Sequence, residues 1–281
     1  MRFVLYRILG NDLPPRHSPT QTEDNLRFIL AHEGALPDCE KRFYLNRIVD
    51  SEKESRLREM LDAHGCTYVT DPFVLQDFRK CIGRQARVRY LTNVNSARNA
   101  CVRLGLADGE VALPCDGGSF FRPDGWRLFA NTAQDCPADG FFGVPTWRLE
   151  NYGQALGEEA PALREEYHFS DVERVIGLRE CTLAFTKHQD ALFDESLVYG
   201  NVDKAELMWR LGIPGAWDRW STDVRRQSMQ RASKFAGRVR VAGFVCRLPS
   251  GDAVGDGHNL RRGAHRAEGV QRLVETTVGV V

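Results

Sequence analysis

Short apolar runs alternate with amphipathic segments through roughly the first 150 residues, and this alternation constrains the fold more than any other feature. The apolar runs are rich in β-branched and aromatic residues, and the segments between them show helical spacing with glycine or polar residues at their ends. Strands that alternate with helices across short connections predict a parallel sheet covered by helices. The predicted strands have the sequences RFVLYRIL, KRFYLNRIVD, CTYVTDPF, EVALPC and GFFGVPTWRL.

The predicted helices of this part begin at polar residues that are favoured at N-caps. Thr22 and Ser51 are the predicted caps of the first two helices, and Gly65 and Gly109 are the predicted terminators of the second and third. The second half is less regular. It predicts a polar surface insertion, a strand, a helix over 203–211, an amphipathic helix over 217–237 and the strand RVRVAGFVCRL.

Charge and composition exclude several classes of protein. The chain carries 38 Lys and Arg against 38 Asp and Glu, and a zero net charge argues against nucleic acid or a membrane surface as the main partner. The 8 cysteines form no C-x-x-C pair, which is typical of reduced thiols rather than a zinc site. We find no secretory signal and no apolar run of about 18 residues, so we expect a cytoplasmic protein without a transmembrane segment.

Polar residues follow the predicted strands at their carboxyl ends, where open parallel sheets bind their ligands. The stretch EVALPCDGGSFF places Asp116 directly after an apolar strand, with Gly117 and Gly118 behind it. An ordinary Asp-Gly turn has the same appearance. Glycines would also let a ligand approach the backbone closely. The polar residues at or just beyond strand ends are Asn11, Asp50, Asp71 and Asp116.

Three features in order resemble a known family. The helix NSARNACVRLGLADG contains Ala-Arg-Asn, the next strand ends in Asp116, and LFDESLVYGNVDKAELMWRLG places an acidic residue before a helix that contains Arg210. This order resembles the inverting, family-2-like glycosyltransferases of the GT-A fold over roughly residues 2–212. The family's Asp-x-Asp is reduced here to Asp-Gly-Gly, and its Glu-Asp pair is replaced by Asn-Val-Asp-Lys, which ends at Lys204.

The resemblance implies an α/β, GT-A-like (Rossmann-like) fold with a mostly parallel sheet flanked by helices and an irregular α+β C-terminal part. It implies a glycosyltransferase that moves a sugar from a UDP-, GDP- or dTDP-sugar to an unknown acceptor, with inversion. We see no break in composition strong enough to divide the chain, so we predict one domain over residues 1–281. Residues 1–130 would bind the nucleotide, 131–248 the acceptor, and 249–281 would form a mobile tail or lid.

The resemblance also assigns roles to single residues. Asp203, with Glu206 behind it, is the predicted base that takes the proton of the acceptor hydroxyl. A divalent cation, Mg²⁺ or Mn²⁺, would be held by Asp116 and His258. Asp50 and Asp203 are equally typical of helix caps, and Gly10-Asn11 of a turn. The predicted donor-binding residues are Arg7, Gly10, Asn11, Asp50, Arg98, Asp116, Gly117, Gly118 and Arg261.

Two other functions are compatible with the sequence. A sugar-nucleotide nucleotidyltransferase would be built on a similar sheet, but it would be expected to carry a glycine-rich basic loop after the first strand. The stretch LGNDLPPRHSP there is poor in glycine. A catalytically degenerate domain that binds a nucleotide or carbohydrate without turnover would explain the reduced motifs.

Overall fold

The fold centres on four parallel strands, all predicted from the sequence. The computed structural model describes residues 1–157, 181–200, 203–213, 239–251 and 259–279. The four strands are β1 (Phe3–Leu9), β2 (Cys39–Asn46), β3 (Thr67–Asp71) and β4 (Val111–Asp116). They pair in the order β3-β2-β1-β4, so their carboxyl ends lie along one edge of the sheet. The predicted parallel core of the sheet is therefore confirmed.

Helices connect and cover these strands. In the described part of the chain they are α1 (Gln21–His32), α2 (Ser51–Ala63), α3 (Leu75–Lys80), α4 (Arg84–Thr92), α5 (Val94–Asp108), α6 (Pro123–Asp135), α7 (Gly153–Leu156), α8 (Ala205–Arg210) and α9 (Asn259–Gly279). Helices α3 and α4 were not predicted from the sequence. The segment of α4, RQARVRYLT, is mostly polar, and its apolar contacts come from other parts of the chain.

The remaining strands turn the parallel sheet into a mixed one. They are β5 (Ser119–Phe120), β6 (Phe141–Arg148), β7 (Cys181–Thr186), β8 (Val239–Val241) and β9 (Val245–Arg247). β7 pairs antiparallel with both β4 and β6, and the order continues β4-β7-β6-β9-β5. β5 lies only two residues after β4 in the chain, so the sheet must curl back toward the end of β4. This curl brings β9 close to the carboxyl end of β4.

The stretch RVRVAGFVCRL, predicted as one strand, forms β8 and β9 with a break between them. Gly243 in the break has φ +55°, a left-handed conformation that favours glycine. A Cβ there would lie 2.3 Å from the carbonyl oxygen of Gly125 in α6. Close packing against α6 therefore interrupts a sequence that is apolar enough for a continuous strand.

The two faces of the parallel sheet bury different helices. Val4 and Tyr6 of β1 face α5, where they pack with Ala97 and Cys101. Their neighbours Phe3 and Leu5 point to the opposite face and pack against Trp126 of α6. Side chains alternate between faces along a strand, so the parity of a residue number tells which helix it meets.

The segment predicted as a mobile tail or lid, 249–281, contains a helix, and its mobility stays a prediction. Residues Asn259–Gly279 form α9, and Val270 and Val274 of this helix pack with Leu13 and Leu91. Gly269 lies so close to the loop after β1 that a Cβ there would be 2.4 Å from the oxygen of Leu13. The predicted amphipathic helix over 217–237 lies outside the described residues. Among those residues, no helix combines the length and apolar character needed to cross a bilayer.

Candidate functional site

The site lies at the carboxyl end of β4, on the face of the sheet that α5 covers. Asp116 is the last residue of β4 and pairs in register with Ile8 of β1. It has the same parity as Ala112, which packs against Gly105 of α5. Asp116 therefore points toward α5, the helix that carries the Ala-Arg-Asn sequence.

Arg98 of α5 joins two of the predicted site residues. Its Nη2 donates to Oδ1 of Asp116 at 3.1 Å, and its Nη1 donates to Oδ2 of Asp203 at 3.0 Å. Arg98 is buried, and burial acts to lower its pKa, but the two carboxylates raise that pKa above its ordinary value. A charged guanidinium thus bridges two carboxylates that are 87 positions apart in the chain (203 − 116 = 87).

Two asparagines on the same face of α5 hold the loops that follow β7. Asn99 donates from Nδ2 to the oxygen of Phe193 at 2.9 Å and accepts from the Phe193 amide at 3.0 Å. Asn95 donates to the oxygens of Asp194 and Asp203, both at 2.8 Å, and accepts from Arg98 at 2.8 Å. Asn99 was expected to brace a loop. Asn95 was missed, although its three-residue spacing from Arg98 places both on one helix face.

The second oxygen of Asp116 also contacts cations. Arg247 of β9 lies 3.0 Å from Oδ2 through Nη1, and the ammonium of Lys204 lies 3.8 Å from the same oxygen. Burial acts to raise the pKa of Asp116, but Lys204, Arg247 and Arg98 outweigh it and hold that pKa well below its ordinary value. Neither Lys204 nor Arg247 was predicted from the sequence as a site residue. Lys204 adjoins Asp203 in the sequence, whereas nothing in the sequence linked β9 to β4.

These contacts bear on whether Asp116 could bind the predicted divalent cation. Both carboxylate oxygens face cationic side chains, from Arg98 on Oδ1 and from Arg247 and Lys204 on Oδ2. A metal ion at either oxygen would meet these positive charges, so the residues around Asp116 do not fit one. His258, the other predicted ligand, lies outside the described residues. In the described ranges, no three His, Cys, Asp or Glu side chains group as a metal site.

Gly117 lets the chain leave β4 close to the end of β1. A Cβ at Gly117 would lie 2.7 Å from the carbonyl oxygen of Ile8, which is backbone and cannot move aside easily. We therefore expect Gly117→Ala to lower the free energy of unfolding by about 1–3 kcal/mol. Gly10→Ala is the matched control, because its nearest contact would be an ordinary 3.8 Å. Equal urea midpoints for the two variants would contradict this prediction.

Gly118 faces a different group. A Cβ at Gly118 would lie 3.0 Å from Nδ2 of Asn25 in α1, a tight contact with a side chain. Asn25 accepts a hydrogen bond from the hydroxyl of Tyr152 at 2.9 Å. A ligand role for Gly118 stays a prediction.

Arg7 lies on the opposite face of the sheet from Arg98. It is fully buried, forms an ion pair with Glu33 at 2.5 Å, and donates from Nε to the oxygen of Ser119 at 2.7 Å. Glu33 also accepts from the amide of Phe121 at 2.7 Å. Arg7 has the parity of Phe3 and Leu5, so the structure does not bring it to the Asp116 face. Its contacts join β1, the residue that ends α1, and β5.

Asn11 ties together the loops beyond β1 and β2. Its Nδ2 donates to the oxygen of Arg47 at 2.8 Å, and its Oδ1 accepts from the amide of Val49 at 2.9 Å. Arg47 in turn pairs with Asp71 at 3.1 Å. Both polar groups of the Asn11 side chain thus bond the backbone of the β2–α2 loop. Contact of Gly10 or Asn11 with a donor stays a prediction.

Asp50 caps α2, the alternative to its predicted role of hydrogen-bonding the base or ribose of the donor. Its Oδ1 accepts from the amides of Glu52 at 3.0 Å and Lys53 at 3.1 Å. We expect Asp50→Ala to lower the free energy of unfolding by about 1 kcal/mol and to leave donor affinity unchanged. Ser51→Ala is the control, because Ser51, the cap predicted from sequence, is already the first helical residue. Calorimetry of donor binding alongside thermal unfolding checks both parts, and weaker donor binding would support the nucleoside contact instead.

Glu206 lies one helical turn beyond Asp203 and has a different partner. It is buried, and its Oε1 lies 2.6 Å from Nε of Arg210 in the same helix. Arg210 also donates to the oxygen of Leu192 at 2.7 Å. Of the two predicted bases, Asp203 is the one that contacts Arg98. The helix α9 includes Arg261, whose side chain lies outside the described residues.

Fold and site together define a mixed α/β protein with an ion-paired cluster at the carboxyl edge of its parallel strands. No protein-family model matches the chain, and no curated protein matches it. Among solved structures it is similar to S. aureus TarS, with a TM-score of 0.46, 10% identity, and coverage of 98% of this chain and 39% of that one. It is also similar to TarS 1-349 in complex with UDP, with a TM-score of 0.44, 11% identity and coverage of 99% and 65%.

Proposed function

We propose that the chain is a glycosyltransferase that moves a sugar from a nucleotide-sugar donor to an acceptor hydroxyl. The observation that carries this proposal is the bridge that Arg98 makes between Asp116 and Asp203. The bridge joins the three chemical elements of the sequence resemblance, which are the Ala-Arg-Asn helix, the strand-end carboxylate and the later acidic residue. It lies at the edge of the parallel strands where sheets of this kind bind nucleotides.

The proposed donor lies across the ends of β1 and β4, with its diphosphate near Asp116. Lys204 and Arg247 approach this position from the α8 loop and from β9. Ammonium and guanidinium groups form charge-assisted hydrogen bonds with phosphate oxygens. The same cations would stabilise the negative charge that grows on the departing nucleoside diphosphate.

The proposed chemical step is a single displacement. The carboxylate of Asp203 takes the proton of the acceptor hydroxyl, whose oxygen attacks the anomeric carbon from the side opposite the diphosphate. The new C–O bond forms as the bond between the anomeric carbon and the diphosphate oxygen breaks, and the electron pair leaves with the nucleoside diphosphate. The anomeric configuration is inverted. Arg98 and Asn95 position Asp203 through its side chain and its backbone oxygen, respectively.

A thermal-shift screen of UDP-, GDP- and dTDP-sugars, followed by an assay for released nucleoside diphosphate, tests the proposed function. A donor present at about 100 times its Kd should add about 2.7 kcal/mol to the free energy of unfolding. If none of these donors stabilises the protein, the proposal is wrong. Pyrophosphate release from a nucleoside triphosphate would favour the nucleotidyltransferase. Donor binding without hydrolysis or transfer would favour the degenerate binding domain.

A further inference from the structure

Cationic side chains from separate segments converge on the carboxylate of Asp116. Arg98 comes from α5, Arg247 from β9, and Lys204 from the residue before α8. These contacts are 3.1 Å, 3.0 Å and 3.8 Å long. The segments are far apart in the sequence, so the convergence is a product of the fold. A solvated charged face would not bring three such groups to one carboxylate.

The C-terminal helix α9 adds another cation, beside the loop that carries Asp203. The guanidinium of Arg266 lies 5.2 Å from the ring centre of Tyr199, and a Cβ on Gly200 would lie 2.5 Å from Cδ of Arg266. The amide of Gly200 donates to Oδ1 of Asp203 at 3.3 Å, so Arg266 packs on the loop that carries Asp203. Within the described residues, the buried Nε of Arg266 has no hydrogen-bond partner.

The imidazole of His17 lies within the electrostatic reach of cations on both β9 and α9. Burial, followed by the charges of Arg16, Arg247, Lys53 and Arg266, lowers the pKa of His17 to about 3. Arg247 and Arg266 therefore act on the same imidazole although they lie on β9 and α9.

We propose that this cluster of Lys204, Arg247 and Arg266 binds the donor's diphosphate directly, without a divalent metal, and that Asp116 is the internal counter-ion of the cluster. The inference rests on the proposed function for the identity of the ligand. In the free protein Asp116 neutralises part of the positive charge, and it competes with the diphosphate for the same cations. This role is the opposite of a metal ligand, which would attract the diphosphate through the bound ion.

The two roles predict opposite effects for Asp116→Asn. Asparagine has nearly the same shape and keeps an oxygen that accepts from Arg98, but it removes one negative charge. If Asp116 is a counter-ion, the Asp116→Asn variant should bind an anion as tightly as the parent protein or more tightly. If Asp116 is a metal ligand, the variant should lose anion binding.

Calorimetric titration of the EDTA-treated protein with inorganic pyrophosphate tests the inference. We expect the parent protein to bind without added metal, and Arg247→Gln to weaken binding about tenfold or more. Asp116→Asn should not weaken binding. Arg103→Gln is the control, because Arg103 is 59% exposed on the outer part of α5. If Asp116→Asn fails to fold by circular dichroism, Lys204→Gln takes its place and should weaken binding.

Two results would overturn the inference. One is pyrophosphate binding that appears only after Mg²⁺ or Mn²⁺ is added. The other is weaker pyrophosphate binding by a folded Asp116→Asn variant, or unchanged binding by Lys204→Gln. Sugar transfer that requires a metal would contradict the inference and leave the proposed function intact. Metal-free pyrophosphate binding in a protein that accepts no nucleotide sugar would support the anion site and overturn the glycosyltransferase.

Discussion

Asp203→Asn is expected to lower kcat for sugar transfer by about 10²-fold or more and to leave donor affinity nearly unchanged, because a general base contributes roughly that factor. The amide oxygen of asparagine can still accept the hydrogen bond from Arg98 that Oδ2 of Asp203 accepts at 3.0 Å. The variant should therefore fold with the same loop geometry but lack a group that takes up a proton. Steady-state kinetics with the donor identified by the thermal-shift screen measures the effect.

Asp194→Asn is the matched control for Asp203→Asn. Asp194 lies in the same group of loops, and Asn95 donates to the backbone oxygens of both aspartates at 2.8 Å. The Asp194 carboxylate accepts only from the amide of Ser196 among the contacts that the structure describes. We expect the control to stay within about twofold of the parent kcat, a change typical of a surface site. A Glu206→Gln variant that loses activity while Asp203→Asn keeps it would move the base to Glu206.

Arg98→Met is expected to lower the free energy of unfolding by about 3–5 kcal/mol, because it leaves two largely buried carboxylates without their shared partner. The side chains of Asp116 and Asp203 are only 24% and 15% exposed. For a chain of this size the loss corresponds to a fall in Tm on the order of 10 °C. Differential scanning calorimetry near pH 7 measures it.

Arg103→Met is the control on the same helix. Arg103 is 59% exposed and lies 3.7 Å from Glu195, so its ion pair is screened by solvent and contributes little to stability.

The Arg98→Lys variant distinguishes a positioning role of Arg98 from a contribution to stability alone. Arg98→Lys should recover part of the Tm because it restores a charge. It should not recover kcat, because an ammonium cannot bridge both carboxylates with the geometry of a guanidinium fork. Full recovery of kcat by lysine would contradict this role.

The residues of the site differ in how far the sequence predicted them. Arg98, Asp116 and Asp203 were chosen from the resemblance, and the fold brings them into one ion-paired cluster. Arg7 was chosen because it lies on the first strand, but strand parity turns it toward Glu33 on the other face. The sequence predicted that Arg7 lies on a strand. Which face of the sheet its side chain occupies follows from strand parity only after the structure shows which helix covers each face.

The sequence by itself determined the four parallel strands, their carboxyl edge and the helix that carries Asn95, Arg98 and Asn99, because apolar periodicity and turn residues are local properties. Only the tertiary structure decided that Arg247 and Lys204 meet Asp116. The curl of the sheet brings Arg247 of β9 to the carboxyl end of β4, more than a hundred residues away in the chain. Lys204 reaches the same carboxylate from the residue before α8. Ion pairs between segments so far apart leave no pattern in the sequence. For that reason the sequence predicted Asp116 as a metal ligand, whereas the fold surrounds it with cationic side chains.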